Sequence, residues 1–151
     1  MSSGNAQPQF TRQGNIGSAE MTAANTNSDG TGNISTPTMY VLFTADATNG
    51  SYVEFVRFML VGTSAGATSN ATSVRVYTSS ITTGATSSAN TFLVGEISIP
   101  SMTVDSATAA ENWFDFPLGF RLPAGWTILG SCGTAAAANT GVRGTVVGGD
   151  Y

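Results

Sequence analysis

The side chains that most often carry enzyme chemistry are scarce in this chain. It has no histidine, and its five basic residues are all arginine, so lysine is absent as well. The Ser-His-Asp triad, the Cys-His pair, histidine-containing zinc sites, Schiff-base chemistry and the P-loop each need one of these two residue types. What remains is carboxylate chemistry, which needs two acids at a set separation.

The carboxylates of the predicted domain form no catalytic motif; the candidates are Asp46, Glu54, Glu96, Asp105, Glu111 and Asp115. Glu54 and Glu96 fall inside predicted strands and would form a glycosidase dyad only if they met across a sheet. A lone acid on a strand is more often solvated or paired with an arginine, for which Arg57, Arg75 and Arg143 are the partners available. We therefore expect no catalytic residue, and Glu54→Gln or Glu96→Gln should abolish no activity.

Metal and cofactor sites are not indicated either. The segment NTNSDGTGN alternates oxygen-bearing residues as a calcium loop does, but it lacks the closing bidentate glutamate; these residues are Asn27, Asp29, Thr31 and Asn33. Cys132 is the single cysteine, which excludes an intrachain disulfide and a multi-cysteine metal site. We expect it to be a small buried residue on a strand, and we predict no metal and no cofactor.

Aromatic side chains offer a different chemistry, which is stacking. They cluster in ENWFDFPLGFRLPAGW, where Trp113 and Phe114 must point to opposite faces of one strand. Burial in the core is the leading role for such residues, followed by contact with another subunit and by stacking on a sugar. In the sugar-binding alternative, Tyr40, Trp113 and Trp126 would be the stacking residues.

The elements that must position these residues are short strands. Apolar runs separated by Gly, Asn, Ser and Thr predict seven of them, at the spacing of a sandwich or barrel: TMYVLFTA, YVEFVRFMLVG, TSVRVYTS, TFLVGEISIP, ENWFDFP, GWTILGS and GVRGTVVGG. Asn49-Gly50 predicts a tight turn between the first two. No helix longer than about three turns is expected, and the predicted inward side chains are Val41, Phe58, Val76, Leu93, Ile97 and Ile128.

The chain divides at Pro37 into a polar arm and a domain. Residues 1–37 hold no helical or alternating period and too few apolar groups to fold alone, so we expect an extended N-terminal arm that becomes ordered along a partner. Residues 38–151 form the predicted all-β domain, an antiparallel β-sandwich.

One predicted strand, YVEFVRFMLVG, is apolar on both faces, although a sandwich core covers only one face of a strand. The second face predicts an interface, made by Val53, Phe55, Met59 and Val61. Exposed apolar surface of this extent favours association, so we expect a homo-oligomer.

The charge of the chain restricts the classes of partner that it is expected to bind. The formal net charge is −4 and charged residues make up 9% of the chain, with the arginines scattered. A surface that binds the nucleic-acid backbone needs clustered cations, so nucleic acid is not expected as a partner. The N-terminus lacks the basic start and apolar core of a signal peptide, and the longest apolar run is too short to span a bilayer as a helix, so no membrane is expected.

Several segments together resemble the small virion-associated proteins encoded beside head and tail genes of tailed phages. In chain order they are FTRQGN, TAANTNSDGTG, FVRFMLVGTSAGATS, SANTFLVGEISIP, FRLPAGWTIL and TVVGGDY. The resemblance runs along nearly the whole chain and includes no catalytic motif. It implies a jelly-roll β-sandwich that oligomerises on the phage particle, as a capsid decoration or cement protein or as part of a tail or head fibre. Because a three-fold axis suits both fibres and capsid lattice points, the resemblance also implies a trimer.

Two function classes follow from these observations. The first is a non-enzymatic virion protein, assembled in the host cytoplasm, that docks on the major capsid protein or another virion protein through apolar strand faces and its arm. The alternative is a carbohydrate-binding or receptor-binding module of a fibre, which would explain the aromatic residues without requiring assembly. A carboxylate glycosidase is a third class, which the isolated acids do not support.

Overall fold

A computed structural model describes residues 11–104 and 112–151. Within these ranges the chain forms twelve strands and no helix, so no helix there is long and apolar enough to cross a membrane. Eight strands are long: β1 (Gln13–Met21), β3 (Tyr40–Thr44), β4 (Ser51–Gly62), β6 (Thr72–Ser79), β8 (Thr91–Ile99), β10 (Trp113–Leu122), β11 (Thr127–Cys132) and β12 (Thr140–Asp150). Four contain two residues each: β2 (Gly32–Asn33), β5 (Ala67–Thr68), β7 (Ala85–Thr86) and β9 (Thr103–Val104).

The long strands form two antiparallel four-stranded sheets. The first sheet has the order β1-β12-β4-β10 and the second sheet has the order β3-β11-β6-β8. Counted along the chain, the first long strand pairs with the eighth, the second with the seventh, the third with the sixth and the fourth with the fifth. This nesting is the jelly-roll form of the β-sandwich. The predicted fold class is therefore confirmed, and the seven predicted strands are all present.

The core lies between the sheets and follows the predicted faces at most positions. Phe58, Val76 and Ile128 are fully buried, and Ile97 packs against the same core while remaining partly exposed. Leu93 is 43% exposed, contrary to the prediction. The reason is a bulge in β8, where the register passes from Val76↔Gly95 to Tyr77↔Leu93 and so leaves an extra residue at position 94. An extra residue reverses the alternation of side chains that precede it.

The predicted arm is the part of the fold that differs most from expectation. Residues 13–21 form β1, which pairs with β12 over its whole length, from Gln13↔Asp150 to Met21↔Val142. Ala24 then bridges to Cys132, and Gly32–Asn33 pairs with Ala85–Thr86. In the described residues, therefore, the segment before position 38 is held by its own domain, and residues 1–10 of the predicted arm lie outside the description.

The segment after β1 covers the outer face of the second sheet. Met39 is fully buried there in a second small core with Tyr77 and Leu129, and Ile34 and Val41 pack against it. The Tyr77 hydroxyl donates to the Asn27 carbonyl oxygen at 3.1 Å, and Arg75 Nη1 donates to the Asn25 carbonyl oxygen at 3.0 Å. Val41, predicted to be inward, thus contributes to this second core. The described chain therefore covers this face around Tyr77 and Leu129, while Leu93 and Glu96 of β8 stay exposed at its edge.

A turn does precede β4, but the predicted hairpin is wrong, because β3 and β4 belong to different sheets and only Gly50 of the pair Asn49-Gly50 has a positive φ. The Asp46 carboxylate accepts hydrogen bonds from the backbone N–H groups of Thr48 and Asn49, and the Gly50 N–H donates to the Asp46 carbonyl oxygen. Gly50 has φ +77°, a left-handed conformation that glycine adopts without a steric penalty. These bonds lower the pKa of Asp46, and they fix the point at which β4 begins.

Candidate docking surface

The predicted interface residues lie on β4, and three of the four point outward. Phe55 and Val61 are half-buried, and Met59 is 41% exposed. Val53 is fully buried in the core, so its assignment to the interface is wrong. The cause is a bulge at Glu54, because Val147 pairs with Phe55 and Gly148 with Val53. The alternation of inward and outward side chains along β4 therefore reverses between Val53 and Phe55.

Phe55 and Met59 belong to a larger surface that spans all four strands of the first sheet. The register aligns outward residues of β1, β12, β4 and β10 in three rows, and we call this surface the open face. Its rows are Glu20, Arg143, Met59 and Trp113; then Ser18, Thr145, Arg57 and Asp115; then Ile16, Val147, Phe55 and Pro117. Ile16 is 68% exposed and Trp113 is 48% exposed, so large apolar groups on two outer strands are open to solvent.

A bidentate ion pair occupies the middle of the β4 side of the open face. Arg57 Nε and Nη2 each donate to an Asp115 carboxylate oxygen at 2.7 Å. The guanidinium carbon also lies 5.7 Å from the centre of the Phe55 ring and 5.9 Å from that of Trp113, within cation–π range. Hydrogen bonding to Arg57 lowers the pKa of Asp115, and the same bond raises the pKa of Arg57. Arg57 therefore holds two aromatic residues and an acid in one arrangement.

The other charges of the open face are also paired. Arg143 Nη2 donates to Glu20 Oε2 at 2.9 Å, and the Ser18 and Thr145 hydroxyls lie 3.1 Å apart. Two of the five arginines and two of the nine carboxylates of the chain lie on this face, so the whole formal charge of −4 lies elsewhere. The open face is thus a charge-balanced surface with exposed apolar residues, suited to contact with protein rather than with a polyanion.

The residues predicted to stack on a sugar do not come together. The Tyr40 hydroxyl accepts hydrogen bonds from the backbone N–H groups of Thr22 and Ala23, at 3.1 and 2.8 Å, and so holds the chain after β1. Trp113 lies on the open face, whereas Trp126 packs against the core before β11. Trp126 instead stacks on Phe92, with ring centroids 6.3 Å apart and an interplanar angle of 20°.

The acids considered for catalysis are also separate. Glu54 is an exposed residue of the first sheet, while Glu96 lies on the second sheet and accepts a hydrogen bond from Arg75 Nε at 3.0 Å. Asp115 is paired with Arg57, and Asp105 and Glu111 lie outside the described residues. The described chain has one groove of note, with a volume of about 460 Å³. No ionisable side chain lines it; its residues are Ala71, Thr72, Ser73, Ser98, Ile99, Pro100 and Thr134.

The calcium-like segment is satisfied by its own loop. Asp29 accepts hydrogen bonds from the backbone N–H and the hydroxyl of Thr31, which lower its pKa. Asn33 Oδ1 likewise accepts from the backbone N–H groups of Ser35 and Thr36. In residues 11–104 and 112–151, no cluster of three or more acidic or cysteine side chains is placed to hold a metal ion.

Cys132 is a buried residue at the end of β11, as the sequence predicted. Burial raises the pKa of its thiol to about 12. Since the thiolate is the nucleophilic form, the thiol is unreactive at neutral pH.

Two features of the surface were not found from the sequence. Ile16 stands alone among small and polar residues in QGNIGSAEM, so no apolar period marks its strand. The second feature is the exposure of Phe92, Leu93 and Val94. The sequence predicts that they belong to a strand, but their exposure depends on the bulge and on the edge position of β8. The register that places Trp113 beside Met59 likewise comes from pairing between distant strands, and a single sequence does not specify it.

Comparisons with known proteins add one structural match. No protein-family model matches the chain, and no curated protein matches it. Among solved structures, the crystal structure of the infectious bursal disease virus VP2 subviral particle aligns with a TM-score of 0.36 and 12% sequence identity. The alignment covers 100% of this chain and 37% of that chain. At this level of similarity the match supports no assignment of fold or function, and both rest on the strand topology and surface described above.

Proposed function

We propose that this protein is a non-enzymatic structural component of a virus particle, and specifically a capsid decoration or cement protein. The observation that carries the proposal is the contrast between the two outer sheet faces. The chain covers the second sheet around Tyr77 and Leu129 with its own residues 24–39, while the first sheet presents the open face to solvent. The jelly roll is a frequent fold of virion proteins, and the segments that resemble phage virion proteins favour the same role.

The composition of the open face fits docking on protein. Its two ion pairs are satisfied within the face, so both can be covered without leaving a lone charge. Around them lie Trp113, Met59 and Ile16, and aromatic and methionine side chains are enriched where proteins meet. The major capsid protein is the partner that we propose for this face.

The size of the open face favours a repetitive partner. Three rows across four strands cover about 300 Å², from the strand spacing and the rise per residue. A stable complex buries about 800 Å² on each partner, so one such contact would be weak. Simultaneous contacts made by linked copies on a lattice raise the effective affinity by orders of magnitude. Linked copies of this chain in a homo-oligomer, which we propose, would bind in this way.

Particles made from the genome that encodes this chain provide the test. Mass spectrometry of the purified particles should find the protein as a stoichiometric component, and its absence would overturn the proposal. Purified protein should also bind particles that lack it. Met59→Lys should weaken that binding by about tenfold, because it places an unpaired charge among apolar contacts. Ala47→Lys adds the same charge in an exposed loop and should bind normally; equal losses from both variants would exclude the open face as the docking surface.

One observation favours a second candidate, a glycan-binding module. Phe92 is 45% exposed and stacks on Trp126, and such ring pairs form a flat apolar surface on which a sugar ring can pack. Calorimetric titration with bacterial surface glycans tests this function. If the protein is a glycan-binding module, at least one glycan should bind. Trp126→Ala should abolish that binding, and Trp113→Ala should retain it. The candidate fails if the panel gives no binding, or if both variants bind as the parent does.

A further inference from the structure

The two sheets have four edge strands, and three of them are protected against pairing with another chain. The edge strand β10 contains Pro117, which has no N–H to donate, and a register shift follows between Pro117 and Phe120. At the opposite side of the sandwich, β3 is only five residues long. Its neighbour β1 approaches it so closely that a side-chain carbon at Gly17 would collide with the Leu42 carbonyl group. Proline, bulges, short strands and covered edges are the usual means of blocking edge pairing.

The fourth edge strand, β8, has a bulge at Val94 but none of the other protections. It is nine residues long, contains no proline and pairs on one side only, with β6. In the described part of the chain, residues 92–99 make no backbone hydrogen bond except those to β6. Its single charge, Glu96, is bound by Arg75 of the same chain. Among residues 11–104 and 112–151, therefore, nothing pairs with the backbone groups on the outer side of β8.

The side chains of β8 make this edge apolar. Phe92, Leu93 and Val94 are 45%, 43% and 38% exposed, and they are consecutive. Since successive side chains of a strand point to opposite faces, apolar groups are accessible on both faces of this edge. Backbone pairing along this edge would therefore also remove apolar surface from water, which is the main source of favourable free energy in association.

We propose that β8 is a self-association site, at which it pairs antiparallel with β8 of a second copy of this chain. When two copies are related by a twofold axis beside this edge, their β8 strands run antiparallel and can pair. The second sheets of the two copies would then join into one sheet of eight long strands. With the axis beside Leu93, Phe92 lies opposite Val94 of the other copy and the two Glu96 side chains are well separated. No charge is left on the edge to select an acidic or basic partner, which favours the identical strand over a charged peptide.

The pairing is distinct from the proposed docking of the open face, which belongs to the other sheet. With the axis beside Leu93, residues 91–95 of the two copies lie opposite each other, which makes an edge contact about 17 Å long that buries less than a standard interface. We therefore expect a dissociation constant in the range of about 10–100 µM. A linked pair of copies of this kind would supply two docking surfaces to a lattice.

Sedimentation velocity of the purified chain between about 5 and 500 µM tests the proposal, since the assay contains no particle and is independent of the proposed function. A concentration-dependent dimer is expected, and a monomer at 500 µM overturns the inference. Val94→Lys should raise the dissociation constant at least tenfold, because two like charges would meet near the axis. Gln13→Lys places the same charge on β1 and should leave association unchanged.

Hydrogen exchange of the parent chain locates the contact without any variant. Amides of residues 92–95 that do not bond β6 should exchange more slowly at 500 µM than at 5 µM, while those of β1 and β10 should not change. Two results would refute the proposal. The first is slower exchange on the first sheet together with loss of dimer in Met59→Lys but not in Val94→Lys, which would assign self-association to the open face. The second is unchanged exchange of residues 92–95 in a sample that contains dimer.

Discussion

The fold makes β1 an integral strand of the sandwich, and Gly17→Ala tests that assignment. A Cβ atom at Gly17 would fall well inside the van der Waals distance of the Leu42 carbonyl oxygen and 2.9 Å from the Phe43 Cα. Both obstacles are backbone atoms of β3, which do not rotate away as a side chain does. The methyl group therefore requires β1 and β3 to separate.

The loss of unfolding free energy in Gly17→Ala follows from this geometry. Adding one carbon to a well-packed site costs about 1–3 kcal/mol, and contact with backbone rather than side chain places this variant at about 3 kcal/mol. For a domain of this size, 1 kcal/mol lowers the melting temperature by about 3 °C, so the expected change is about 9 °C. Met21 and Ala19, which pack inward from the same strand, would lose contacts in proportion as the strand moves.

Gly14→Ala is the matched control. Gly14 lies on the same strand with no heavy atom within 4 Å of an added Cβ, so its variant should differ from the parent by less than about 0.5 kcal/mol. Urea unfolding of the three proteins gives the free energies, and hydrogen exchange shows whether protection is lost on β1 and β12. The reasoning is refuted if Gly17→Ala is as stable as Gly14→Ala, since β1 would then not approach β3 as described.

Three further predictions concern individual side chains. Arg57→Met should raise the pKa of Asp115 towards its ordinary value in an NMR titration. In the parent, the lowered pKa contributes stability that is present above about pH 4 and is lost as the pH falls through the folded-state value, so this part of the acid sensitivity should disappear in the variant. Cys132 should not react with a thiol reagent at pH 8 until the protein unfolds, and rapid reaction of the native protein would contradict its burial. Tyr77→Phe should cost about 1 kcal/mol in urea unfolding, because it leaves the Asn27 carbonyl oxygen without its donor; no loss would show that this bond does not hold the covering segment.

The sequence predicted the strands that have an apolar period and missed the one that does not. The inward positions of β1 are Asn15, Gly17, Ala19 and Met21. Small residues are needed there because β3 lies close, so the packing that fixes this strand also removes its hydrophobic signal. Ile16, its one large apolar residue before Met21, points outward. Without a hydrophobic pattern, the sequence of residues 13–21 predicts part of an extended arm rather than a strand.

The side chains on either side of a bulge were predicted less well than the strands themselves. Val53 and Leu93 were placed on the wrong faces because Glu54 and Val94 each add a residue to one strand of a pair. A bulge depends on the partner strand, which is distant in sequence, and strict alternation does not reveal it. The shared outward face of Phe55 and Met59 and the buried state of Cys132 did follow from local pattern, since no register shift lies between Phe55 and Met59 or in the pairing of β11 with β6.

The nested pairing of the long strands has a consequence for how the chain folds. The innermost pair, β6 and β8, joins residues such as Ser79 and Thr91 that are 12 positions apart, whereas Asn15 and Asp150, on the outermost pair, are 135 positions apart. The entropic cost of closing a loop rises with its length, so the inner hairpin should close first and shorten the loop that each outer pair must close. Strand pairing would then proceed from the inner hairpin to the outer pairs. Of the described long strands, β1 would be synthesised first and would pair last. Until β12 has left the ribosome, β1 has no partner, and a chain stalled before residue 140 should hold the inner strands while its N-terminal strand remains free.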